Sequence, residues 1–116
     1  MKHDDKLYIV TRRDMAPGYQ AVQSIHAAQQ FAIDFPIANA RWHEKSNYLG
    51  LLSVKDEVAL KRLATKATRV GLAVSLFCEP DVDWQVTAIA IEAGSISRKL
   101  CKRLKLPLAL REYTPL

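Results

Sequence analysis

The run Leu7-Tyr8-Ile9-Val10-Thr11-Arg12 narrows the fold more than any other feature. It is β-type and apolar with no alternating polar face, so the strand it forms has to be covered on both sides. Asp14, Pro17 and Gly18 follow directly. The fixed φ of Pro17 suits a first helical turn, and Asp14 stands just upstream as a candidate cap. The spacing predicts a helix over 17–35. Pro36 bends or ends it, because proline disfavours α geometry in the residue before it and has no N–H to donate. A shorter helix through Trp42 comes next.

The strand-then-helix order then recurs. Residues 48–54 predict a second strand, and 56–70 a helix on the spacing of Val58, Leu63 and Ala67, stopped by Gly71. Residues 73–78 and Gln85–Ile91 are two more strand runs. The proline and acids of Glu79-Pro80-Asp81-Val82-Asp83-Trp84 between them favour a loop short enough for antiparallel pairing. Residues 97–104 predict a last helix and 106–110 a short edge segment. A chain of 116 residues with 49% hydrophobic content fills one core and not two. The expected fold is a single three-layer α/β/α domain around a four-stranded mixed sheet.

Seventeen Lys and Arg against twelve Asp and Glu leave a formal charge of +5. Residues 1–35 carry four charges of each sign and 36–94 seven of each, whereas 95–116 carry six positive charges against Glu112. A basic C-terminal segment steers RNA, DNA or an acidic membrane, and the same pattern also suits an ordinary solvated helix face. No apolar run approaches the roughly 20 residues that span a bilayer, and Met1-Lys2-His3-Asp4-Asp5 lacks a signal-peptide core; a cytoplasmic protein is expected. Cys78 and Cys101 have no Cys-x-x-Cys spacing and read as buried free thiols. His3, His26 and His43 are scattered, so neither a metal nor a cofactor is expected. Gly18, Gly50, Gly71 and Gly94 are isolated and form no phosphate loop.

Helical periodicity puts Tyr19, Gln23, His26 and Gln30 on one polar ridge. Ala21, Ile25, Ala28, Phe31, Ala32 and Phe35 fall on the opposite arc, which is expected to pack on the sheet. On such a ridge His26 suits acid/base chemistry or hydrogen-bond donation, and equally an ordinary half-buried imidazole at a protein contact.

The segment Arg12-Arg13-Asp14-Met15-Ala16-Pro17-Gly18-Tyr19-Gln20-Ala21-Val22-Gln23-Ser24-Ile25-His26-Ala27-Ala28 resembles the signature of the archaeal/eukaryotic-type peptidyl-tRNA hydrolase family. That pattern runs Arg-x-Asp-Leu, then Gly-Lys-x-Ala-x-Gln-x-x-His-Ala. Arg13 or Arg12, Asp14, Gly18, Ala21 or its neighbour, Gln23, His26 and Ala27 match it. The resemblance extends over nearly the whole chain, with Trp42 suiting the family's second helix and Val86-Thr87-Ala88-Ile89-Ala90-Ile91 its last core strand. It implies metal-independent hydrolysis of the ester between a peptide and the terminal ribose of tRNA, in a homodimer. The family's lysine after the signature glycine is replaced by Tyr19, and its Gly-Arg-Thr-Gln turn is absent. The shorter Glu79-Pro80 loop more closely resembles a divergent branch, the peptidyl-tRNA hydrolase domain-containing proteins.

Carried over residue by residue, the resemblance has Gln23 and His26 positioning substrate or water. Glu79 organises that network or acts as base, and Tyr19 or Thr87 donates a hydrogen bond. The expected contacts to the tRNA backbone are Arg12 and Arg13 beside the helix, with Arg98, Lys99, Lys102, Arg103 and Lys105 at the other end of the chain. Two further readings stay open. One is a nonhydrolytic tRNA/RNA-binding module that retains the fold, motivated by Tyr19. The other is a protein-interaction domain with Trp42, Trp84 and Tyr48 lining a partner surface.

Overall fold

The computed structural model describes residues 5–108. At its centre β1 (Leu7–Arg12) is buried along its whole length, as its apolar run requires. It pairs in parallel with β2 (Leu49–Val54) and antiparallel with β4 (Gln85–Ile91), which in turn pairs antiparallel with β3 (Val74–Glu79). The strand order β2-β1-β4-β3 makes a four-stranded mixed sheet. The C-terminal ends of β1, β2 and β3 therefore meet the start of β4 at one end of the sheet.

Helices cover both faces. Packed on one are α1 (Pro17–Asp34) and α2 (Pro36–Lys45), over Leu7, Ile9, Ala88 and Ala90. On the other, α3 (Glu57–Arg69) and α4 (Ser95–Cys101) close over Tyr8, Val10, Ile89 and Ile91. The expected single α/β/α domain is what forms. Among the described residues no helix is long and apolar enough to cross a membrane.

Four local expectations are corrected. Asp14 does not cap α1; Ala16 occupies that position without a side-chain bond, and Asp14 instead grips Arg12. The last helix starts two residues before the expected Ser97 and stops at Cys101, with Ser97 Oγ donating back to Gly94 O. The edge segment at 106–110 reduces to a single bridge from Lys105 to Ser53, and residues 109–110 lie outside the described residues. Of the two thiols only Cys101 is buried, and that burial pushes its pKa up to about 12; Cys78 is exposed on edge strand β3.

Candidate functional site

The largest correction concerns which face of α1 meets the sheet. Gln20, Gln23, Ser24, Ala27 and Phe31 are buried, whereas Ile25 is 65% and Ile33 73% exposed. The inward arc lies between the two expected ones: it takes Gln23 from the polar ridge and Phe31 from the apolar arc, with Ala28 and Phe35 packed against the same core, and leaves Ile25 outside. Alanines and other apolar residues surround α1 almost completely, so apolar periodicity alone does not choose a face. The choice follows from Phe31 and Ala27, which fill the space over the small residues Ala88 and Ala90, and from partners waiting on the strands for each amide.

Those partners come from a β-bulge. The pairing of β3 with β4 passes from Phe77↔Ala88 to Cys78↔Val86, which leaves Thr87 as the extra residue. A bulge re-aims a side chain. Here Val86 joins the core under α3, while Thr87 Oγ1 donates to Gln23 Oε1 at 2.6 Å on the α1 side. Gln23 Nε2 donates to Glu79 Oε1 at 2.9 Å, and the second Glu79 oxygen accepts from Asp81 N at 3.3 Å. Thr11 Oγ1 reaches the Thr87 carbonyl at 3.0 Å and ties the network to β1. Residues 11, 23, 79, 81 and 87 thus form one chain of hydrogen bonds.

α1 runs along β3 as a seam. Gln23 meets Glu79, His26 stacks flat on Phe77 with ring centroids 4.5 Å apart, and Asp34 accepts from Ser75 at 2.9 Å. His26 consequently packs in the seam, outside the Thr87–Gln23–Glu79 chain. Gln23 is 1% exposed, which corrects the expectation that its amide itself meets substrate or water. Glu79, at 9%, lies nearer the rim. The Tyr19 hydroxyl is enclosed and has no hydrogen-bond partner among the described residues. Desolvation first, then the negative charges of Glu79 and Asp81, raise its pKa. The site therefore holds a neutral phenol beside a carboxylate whose geometry is fixed from both oxygens.

The expected RNA contacts divide. Arg12 is buried and committed: it holds Asp14 through Nε at 3.0 Å and Nη2 at 2.9 Å, and its Nη1 donates to Gln85 Oε1 and to Val86 O. Such a guanidinium is a structural brace and is corrected as a phosphate contact. Arg13 is half-buried, donating to Ser53 O at 3.1 Å. It lines a depression of about 380 Å³ with Asp14, Lys55 and Asp56. Arg98, Lys99, Lys102, Arg103 and Lys105 lie on the surface of α4 and the segment after it. That segment leads back to the site end: Ser53 N donates to Lys105 O, and Leu108 N donates to Gln20 Oε1 on the first turn of α1.

The three aromatics do not share one surface. Trp42 packs against the α1-side core and donates its indole N–H to Tyr48 O at 2.6 Å, so these two stand together before β2, at the far end of the sheet from Trp84. Trp84 is 67% exposed and stands beside Asp83, both with positive φ, at the turn whose backbone N–H bonds Glu79 O. Nothing in the sequence signalled that conformation. Among the described residues no three of His, Cys, Asp and Glu stand together as a metal site.

No protein-family model matches the chain, and no curated protein does. Among solved structures, the chain is similar to the protein of unknown function Atu0240 from Agrobacterium tumefaciens strain C58. The identity is 15%, the match covers 89% of this chain and 97% of that one, and the TM-score is 0.63. That likeness establishes the fold.

Proposed function

We propose that the chain hydrolyses the ester of peptidyl-tRNA, with Glu79 and Tyr19 as the reacting groups and Gln23 and Thr87 as their support. One observation carries the reading: of the five residues selected through the family resemblance, Gln23, Glu79 and Thr87 are joined by hydrogen bonds and Tyr19 stands one helical turn before Gln23 within the field of Glu79, while His26 lies outside this set. Each Glu79 oxygen keeps a free lone pair after its one protein hydrogen bond, so the carboxylate can take a proton from water. That water attacks the ester carbonyl, the Tyr19 hydroxyl donates a hydrogen bond to the developing oxyanion, and the ribose oxygen leaves carrying the proton that Glu79 took, which returns Glu79 to its carboxylate form. A neutral phenol, held protonated by its surroundings, replaces the family's lysine as donor. The reading includes the homodimer, for which the exposed arc Val22, Ile25 and Ile33 offers an apolar surface.

The test is peptide release from purified peptidyl-tRNA. Glu79→Gln is expected to lower kcat by about 100-fold or more, and Tyr19→Phe by a similar factor, through loss of a base and of an oxyanion donor. A second reading, tRNA binding without hydrolysis, is favoured by one specific fact: both ends of the Gln23 amide are already occupied inside the protein. Tight tRNA binding by native protein that releases no peptide selects it.

A further inference from the structure

Between Glu57 and Arg69 the sequence carries Lys61, Arg62, Lys66 and Arg69 against Glu57 alone. On α3 these four, with Thr65, fall within an arc of about 140 degrees at 3.6 residues per turn. Leu60, Leu63, Ala64 and Ala67 point the other way into the core. The exposed face of α3 therefore sets four cations around Val58 and Thr65, with Lys61 paired to Glu57 at 3.5 Å and Arg62, Lys66 and Arg69 making up the rest of the charge. α4 shares the same side of the sheet, and residues 95–105 add Arg98, Lys99, Lys102, Arg103 and Lys105 with no acid. Six of the chain's 17 basic residues thus stand on α3 and α4, and three more follow α4, the last of them, Lys105, bridging to Ser53 at the sheet edge. The opposite layer, Pro17 to Lys45, balances Arg41 and Lys45 against Asp34 and Glu44.

Between the outward side chains of α3 lies an open space of about 570 Å³ bounded by Val58, Lys61, Arg62, Thr65, Lys66 and Arg69. A depression of about 410 Å³ runs between α3 and Leu76 of the exposed edge strand β3. Leu76 stands three residues, about 10 Å of strand, before Glu79. This layer consequently adjoins the candidate site across one strand edge.

We propose that the α3–α4 layer is the surface on which the sugar-phosphate backbone of a folded RNA lies, with α3 as its principal contact. The inference rests on RNA being the carrier of the substrate, and it names the face that carrier occupies. Phosphates spaced along a helix match an arc of flexible cations. Proteins that hold single strands combine such cations with aromatic platforms. No aromatic borders the open face of α3 or the depression between α3 and Leu76, so double-helical RNA, recognised through shape and phosphates, is the fitting form.

The experiment measures binding of the full chain to deacylated tRNA over a series of salt concentrations. Arg62→Glu/Lys66→Glu is compared with Arg41→Glu/Lys45→Glu, which changes net charge equally on the opposite layer. The α3 variant is expected to bind at least about tenfold more weakly near 0.1 M salt and to lose about two units of salt slope, while the α2 variant keeps the native slope. Arg62→Gln/Lys66→Gln, a milder change at exposed sites, should show the same ranking if charge reversal disturbs folding. Equal losses in the α2 and α3 variants overturn the proposal. So does tighter binding to a single-stranded RNA of equal length, or to phosphatidylserine vesicles, than to tRNA. Peptide release is read separately: a native protein that releases no peptide while α3 governs tRNA affinity removes the hydrolase and leaves the surface standing. Normal release with tRNA affinity indifferent to α3 does the reverse.

Discussion

α1 and α3 lie on opposite faces of one sheet and bury opposite chemistry. The inward face of α3 is Leu60, Leu63, Ala64 and Ala67, and its outward face is charged. Inward on α1 are Gln20, Gln23 and Ser24 beside Ala27 and Phe31, while Val22, Ile25 and Ile33 face outward. A helix that follows the amphipathic rule supplies stability. One that inverts it has to satisfy every buried amide, and α1 does so through Thr87, Glu79, Met15 and Leu108. Departures from local rules concentrate where a protein spends stability on function. The inverted helix is also the one that carries the candidate site.

Truncating the dry side gives the largest expected effect. Leu60 is fully buried, and Leu60→Ala is expected to cost about 2–5 kcal/mol from lost transfer energy and the cavity left behind, read by urea denaturation. Gln23→Ala is expected to cost about 1–3 kcal/mol for a different reason: it strands the Thr87 hydroxyl and one Glu79 oxygen in a buried place. A double-mutant cycle with Thr87→Val sharpens the contrast. Strong coupling between the two residues marks a network, and additive losses would mean that α1 packs like α3 with merely unusual side chains.

The sequence was legible where one force dominates and illegible where two compete. Gln85–Ile91 was placed to the residue, and Leu7–Arg12 needed covering on both faces and received it. For α1 the inward face is rotated away from both expected arcs, with Gln23 of the ridge beside Phe31 of the apolar side, and that direction depends on Thr87, whose orientation is set by a bulge that pairing register alone reveals. Asp14 had the chemistry of a cap, yet the buried guanidinium of Arg12 two residues away claims both its oxygens. The basic face of α3 was hidden by counting charge along the chain. Residues 36–94 sum to zero because Glu79, Asp81 and Asp83 are counted with Lys61 and Arg69, although the fold places those acids at the strand ends and the cations on the outer face of α3.

Two milder substitutions test the same contrast at the helix surfaces. Asp56 caps α3 by accepting from Ala59 N at 3.0 Å, so Asp56→Ala is expected to lower stability by about 1 kcal/mol. Ile25→Ser, on the outward arc of α1, is expected to move monomer stability by no more than about 0.5 kcal/mol. A loss of several kcal/mol at Ile25 in dilute protein would mean that this arc is buried after all and would undo the inversion.

The finest effect is electrostatic and reads the site without unfolding it. Enclosure of the Tyr19 hydroxyl, reinforced by Glu79 and Asp81, favours the neutral phenol in the folded state. With the folded pKa raised, the sign is fixed: Tyr19's contribution is intact below pH 10 and is lost as pH climbs through the raised value. Ultraviolet titration of native protein beside Tyr19→Phe is therefore expected to show a late-ionising phase in the native protein that the substitution removes. Glu79→Gln withdraws one of the two negative charges and moves the phase downward but leaves it above the ordinary range, because desolvation is the larger cause. A phase that ignores Glu79→Gln would separate the phenol from the carboxylate, and the polar side of the sheet would then be a braced core with no reacting pair.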